Sequence, residues 1–136
     1  MWEVFEHTAD LGLRMHAESP ERLYEEAAKG FFSMIVENVD DVQPCEEVRF
    51  DIEGADREYL LFDWLNELLY VFETKRLLLS RFHVALNESG LHATAGGERI
   101  DPERHHLEHE IKAITYHGLK VEKTSNGWAA EVIVDI

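Results

Sequence analysis

The feature that most restricts the folds open to this chain is a helical stretch with apolar residues on more than one of its sides. From about Arg57 to Glu73, Leu60, Leu61, Trp64, Leu65, Leu68, Leu69 and Phe72 recur at helical spacing, and the polar remainder of Asp63, Asn66 and Glu67 is thin. Asp56 stands where an N-cap residue would accept the first free amides. A helix of this kind needs cover from more than one direction, so the spacing predicts a central helix rather than one lying on the outside. With 136 residues, a chain can bury about two-thirds of its unfolded surface, enough for one such core.

The flanking patterns supply the layers. Ser19-Pro20-Glu21 reads as an N-cap, a proline at the first helical position and an acid in the first turn; Leu23, Ala27, Phe31, Met34 and Ile35 then follow at helical spacing. Pro44, after a run of turn-forming residues from Asn38, breaks that helix. A strand is expected from Glu46 to Ile52 with Val48, Phe50 and Ile52 on one face. Another is expected from Leu77 to Leu86, followed by a turn at 87–90 and a partner strand from Leu91 to Ala95 that Gly96-Gly97 ends. Residues 46–97 thus read strand, helix, strand, strand. The outer chain repeats the pattern with a strand at Leu11 to Ala17, the Pro20 helix, and a hairpin from Gly118 to Asp135 turning at Asn126-Gly127. The expected class is α+β: two strand-helix-strand-strand units, one inserted into the other, with mixed or antiparallel sheets covered by two main helices. A single domain is expected, its outer unit about 1–42 and 98–136 and its inserted unit about 43–97. The two units share architecture, not residue-level identity.

Charge narrows the function classes. Asp and Glu number 28 against 13 Lys and Arg, a formal charge of -15. No basic stripe with interleaved aromatics is present, so direct nucleic-acid binding is not expected. Cations and basic protein surfaces are the better partners for an acidic field. No apolar run approaches the roughly 18 residues of a membrane span, and the N-terminus lacks a signal pattern, so the expectation is a cytoplasmic protein without a membrane. The lone Cys45 excludes an internal disulfide and reads as a partly buried thiol.

Two stretches place carboxylates where chemistry could use them. In His7-Thr8-Ala9-Asp10-Leu11-Gly12, Asp10 sits at a strand entrance, in what reads as a tight, glycine-closed turn between apolar runs. The chain ends Val132-Ile133-Val134-Asp135-Ile136. If the first and last strands are neighbours, Asp10, Asp135 and the terminal carboxylate of Ile136 converge. Such donors offer oxygen only, the preference of hard Ca²⁺ or Mg²⁺ rather than zinc. Without a cation they repel one another, so a bound metal should stabilise the fold. Either aspartate could instead merely finish a turn or a strand.

The polar stretch from Asp101 to His117 invites a metal reading through His105 and His109, four apart. The zinc-hydrolase signature, however, needs a glutamate where His106 stands. A loop running into a strand, with solvated or hydrogen-bonded histidines, fits better. Lys112 is either a surface lysine pairing with Glu108 or Glu110, or a point charge for an anion or a partner's acidic group. No phosphate-binding glycine loop is present, since Gly96-Gly97 lacks the Lys and Ser or Thr that should follow.

Four stretches in order resemble the archease family across essentially the whole chain: His7 to Gly12, Asp63 to Leu69, Glu110-Ile111-Lys112-Ala113-Ile114-Thr115-Tyr116-His117, and Asp135-Ile136. His106 and His109 depart from the family's pattern and take no role from it. The resemblance implies a non-enzymatic accessory protein, similar in fold to the interleaved units above. It would activate the tRNA-splicing RNA ligase RtcB by promoting metal- and GTP-dependent guanylylation of the ligase and multiple turnover. It further implies a calcium ion held by Asp10, Asp135 and Ile136, with Lys112 important for activation and His7 and Glu110, from the first and third of these stretches, expected to serve the ligase contact with it. Two other classes stay open. One is a small metal-dependent hydrolase with His7 as general base, and the other a general chaperone or adaptor for nucleic-acid enzymes.

Overall fold

The computed structural model describes residues 1–136. Its elements are β1 (Trp2–His7), β2 (Asp10–Ala17), α1 (Pro20–Ile35), a single 3-10 turn (Val39–Asp41), β3 (Glu46–Glu53), α2 (Arg57–Lys75), β4 (Leu77–Asn87), β5 (Gly90–Arg99), β6 (Ala113–Ile114), β7 (Lys120–Thr124) and β8 (Gly127–Asp135).

Two antiparallel sheets carry the interleaved units. In one, β3 joins β5 and β5 joins β4; in the other, β2 joins β8 and β8 joins β7. Each unit therefore has its first strand beside its last and its last beside the hairpin partner. The outer sheet is extended by β1 along β2 and by the short β6 along the C-terminal end of β8. Every pairing is antiparallel, so the mixed alternative falls away.

The helices begin where their caps require. Ser19 Oγ accepts from the Arg22 N–H at 3.2 Å, and Asp56 Oδ1 accepts from the Glu58 and Tyr59 N–H groups at 3.0 Å each. Arg76, at φ 54°, closes α2 in the left-handed region. Both sheets contact α2, as its apolar pattern demands. Yet α1 is the more enclosed helix, with only Arg22 exposed. Small Ala27, Ala28 and Gly30 let β2 and β4 approach α1 closely; a Cβ at Gly30 would meet Leu13 at 2.4 Å.

A continuous cluster of 33 buried residues draws on both units. Trp64, fully buried, meets Phe50 edge-on at 5.1 Å and donates its indole N–H to the Tyr24 carbonyl at 2.9 Å. Removing such a ring from a core costs about 3–5 kcal/mol.

Three local expectations are corrected. The turn before Asp10 is made by Thr8 and Ala9 at φ 25° and 67°, while Gly12 lies inside β2. Gly12 serves close packing: the Phe5 ring lies against it, and a Cβ there would be 2.1 Å from the ring. Gly96-Gly97 does not end the strand either, because β5 runs on to Arg99 past an irregularity in β4 between Leu79 and Arg81. There the Leu78 carbonyl approaches so closely that a Cβ at Gly97 would lie 1.9 Å from it. Finally, Cys45 is exposed, since the Gln43–Cys45 connection runs over the surface before β3.

Candidate functional site at the end of the larger sheet

The strand register brings the sequence-distant motifs together. His7 pairs with Asp10, Leu11 with Val134, and Asp135 with Ala113. Continued by one step, the β2–β8 register sets Asp10 opposite Asp135. His7, Asp10, Asp135 and Ala113 thus form one cross-strand row over β1, β2, β8 and β6, with side chains on a single face. Opposed residues of such a row lie roughly 4.5–5.5 Å apart between α-carbons. Leu11, Leu13 and Met15 point into the core, so the row stands on the outward face, next to Phe5, Gly12 and Ile133.

The two carboxylates have no internal partner. Neither Asp10 nor Asp135 accepts a side-chain hydrogen bond or enters an ion pair. The one arginine of this sheet, Arg14, is engaged elsewhere: it pairs with Glu3 at 2.9 Å and Glu131 at 3.1 Å and lies over the Phe5 ring at 4.4 Å. Hydrogen bonds to Glu3 and Glu131 raise the Arg14 guanidinium above its ordinary value. It is a fixed structural cation, not a counter-ion for the row.

The late motif is stitched to the same place. The Lys112 N–H donates to the Asp135 carbonyl at 2.8 Å, and Thr115 donates to the Ile133 carbonyl through its N–H at 3.1 Å and its hydroxyl at 2.9 Å. Lys112 is exposed and forms no ion pair with Glu108, Glu110 or any other acid. Glu110 is exposed two residues earlier, and Ile136 packs half-buried against the core. His7 faces His117 across 5.6 Å between ring centroids, and its Nδ1 is buried without a hydrogen-bond partner. No three His, Cys, Asp or Glu side chains are grouped to hold a metal. A cation at this row would therefore rest on the paired aspartates, main-chain oxygens and water, a donor set that fits a hard ion.

Of the other histidines of the polar stretch, His105 is structural. His105 is buried; its Nδ1 accepts the Asp101 N–H at 2.9 Å, which leaves the ring proton on Nε2, directed at Glu98 Oε2 at 3.3 Å. Glu98 also accepts the Gln43 N–H at 2.6 Å and pairs with Arg104. Burial pushes the Glu98 carboxyl up, but the Gln43 N–H, Arg104 and His105 outweigh it, so Glu98 titrates below the usual carboxylate value. Residues 106–109 run as irregular chain along the end of α1, where the Glu108 and His109 amides donate to the Ile35 and Met34 carbonyls at 2.8 and 3.0 Å. The loop expected from Pro102 is thus observed, and His106 and His109 take no part in the row. His117 beside His7 and the Glu98 network lay beyond the sequence reading, because neither spacing nor periodicity links residues that only the sheet brings together.

Residues 2–136 match the model of the Archease protein family (MTH1598/TM1083). The protein archease of Methanopyrus kandleri is 44% identical over 139 residues, spanning 99% of each chain. That of Pyrococcus abyssi is 42% identical over 99% of this chain and 98% of its own. Among solved structures, the solution structure of Methanobacterium thermoautotrophicum protein 1598 superposes with a TM-score of 0.86 at 36% identity, covering 99% of this chain and 98% of that one. A Thermotoga maritima crystal structure, described as an archease and possible chaperone, gives a TM-score of 0.71 at 26% identity, covering 97% and 94%.

Proposed function

This chain belongs to the archease family, and we propose on that footing that it is an accessory protein, not an enzyme, which activates the tRNA-splicing RNA ligase RtcB in the cytoplasm. The observation that carries the reading is the convergence of three distant motifs, around His7–Asp10, Glu110–His117 and Asp135–Ile136, at one end of one sheet. A structural protein has no need to leave two opposed carboxylates and a lysine unpaired at the same spot.

A calcium ion, or magnesium or another hard divalent cation, would be held by Asp10, Asp135 and a main-chain oxygen of Ile136. When bound, it supplies positive charge that offsets the repulsion between the aspartates. The chain's own residues do the rest. The Lys112 amide bond to Asp135 fixes the lysine's base beside the row and leaves its ammonium free for an acidic or phosphate group on the ligase. Glu110 and His7 flank it as contacts to the same partner. Activation is then a shift of the ligase toward its guanylylation-competent conformation. It requires tighter contact with that conformation than with the resting one, since equal binding shifts nothing.

The test is single-turnover guanylylation of the cognate ligase with GTP and metal, without addition and with wild type, Asp10→Ala, Asp135→Ala or Lys112→Ala. Wild type should accelerate the reaction and the three folded variants should lose about tenfold or more of that acceleration. An inert wild type would remove the activator reading. Turnover by the isolated protein would favour a hydrolase.

A further inference from the structure

The open face of α2 is a feature that the core and the carboxylate row leave unused. The exposed positions Tyr59, Asp63, Glu67 and Tyr70 recur at helical spacing and form one stripe roughly 16 Å long. Tyr59 and Tyr70 are 59% and 62% exposed, unusual for residues of this size on a helix that is otherwise so well covered. At the Tyr59 end the stripe is widened by Tyr116, itself 55% exposed. The Tyr116 ring stacks on Phe62 at 3.9 Å and meets Tyr59 edge-on at 6.0 Å. Tyr116 directly precedes His117, whose ring faces His7, so this aromatic surface is continuous with the candidate site.

Its chemistry selects one kind of occupant. Between Arg57 and Lys75, α2 carries Glu58, Asp63, Glu67 and Glu73 but no cation. Arg57 is committed to the Trp128 ring, 4.8 Å away. Tyrosine faces carry negative quadrupoles that attract guanidinium and ammonium groups, and carboxylates one turn away supply the matching charge. Phosphate-bearing partners meet only repulsion on this stripe. We infer that the Tyr59–Tyr70 face of α2, widened by Tyr116, docks an arginine- or lysine-rich segment of the partner protein, with tyrosine rings stacking on the cations and Asp63 and Glu67 pairing with them. The inference rests on the ligase-activator reading and deepens it: the stripe supplies affinity and the carboxylate row supplies the conformational bias.

The dissociation constant of the chain for the cognate ligase tests this, measured by calorimetry at low and at high salt. The variants are Tyr59→Ala/Tyr70→Ala and Asp63→Lys/Glu67→Lys, all at exposed positions whose replacement leaves the core intact. The tyrosine pair should weaken binding about tenfold at both salt concentrations. The charge reversal should weaken it at least about tenfold at low salt and less at high salt. Variants that bind within about twofold of wild type, while wild type binds and activates, would overturn the docking surface alone. A wild type that does not bind the ligase would overturn the activator reading, and this inference with it.

Discussion

The two sheets present their carboxylates in opposite ways at corresponding ends. Where β3 meets the end of β5, Glu98 is drawn inward and neutralised by the Gln43 N–H, Arg104 and His105. Where β2 meets the end of β8, Asp10 and Asp135 stand opposite each other with no internal partner. The topology is the same, first strand beside last and last beside its hairpin partner. The difference teaches that the chain's own donors close one end and leave the two carboxylates at the other without a counter-charge. Burying a carboxylate at the first end costs stability unless those donors are present, whereas the two facing aspartates at the second end repel each other.

The comparison can be strained hardest at Glu98. Glu98→Ala leaves the Gln43 amide and the His105 ring proton without acceptors, and urea unfolding should show a loss of about 2–3 kcal/mol. A loss below about 0.5 kcal/mol would mean that this end is not closed by its carboxylate.

The same residue gives a pH signature. Because its folded value is lowered, Glu98 contributes stability that is fully present above the ordinary carboxylate value and is lost as pH falls through the lowered one. Asp101, lowered chiefly by the Glu103 N–H with help from Arg104, adds to the same limb. Glu98→Gln should therefore flatten the fall of stability below about pH 5, followed by circular dichroism. An unchanged acid limb would assign it to other carboxylates.

The smallest effect belongs to the open end and has the opposite sign. With chelator present, Asp10→Asn removes a like-charge pair across two strands and should raise stability by about 0.5 kcal/mol. A destabilisation of more than about 1 kcal/mol would show that Asp10 serves the fold itself.

Much of this was legible in the sequence because it is local. The caps Ser19 and Asp56, the apolar stripes of α1 and α2, and the hairpin turn at 87–90 are written in adjacent residues and formed as expected, while the turn expected at Asn126-Gly127 formed one residue earlier, at Ser125-Asn126, with Gly127 opening β8. Asp10 could be placed at a strand entrance, and its approach to Asp135 followed from assuming that the strand it opens and the last strand are neighbours, as β2 and β8 are. Glycines misled, because a glycine reports either a turn or a close approach and the sequence does not say which. Gly12 makes room for Phe5 and Gly97 for the Leu78 carbonyl. The turn itself fell to Thr8 and Ala9, residues without a strong turn preference, held there by the β1–β2 ladder. The two-residue β6 and the His7–His117 contact depend on pairing between distant segments, which no local pattern encodes.

The central claim is that the paired aspartates at the open sheet end are kept for a hard cation. The most direct measurement is isothermal titration of the chelator-stripped protein with Ca²⁺, comparing wild type, Asp10→Asn and Asp135→Asn. The account predicts one site per chain in the wild type and affinity reduced by about tenfold or more in each variant, with a thermal midpoint that rises with calcium only in the wild type. Equal calcium binding by all three proteins, or none by the wild type, would contradict it.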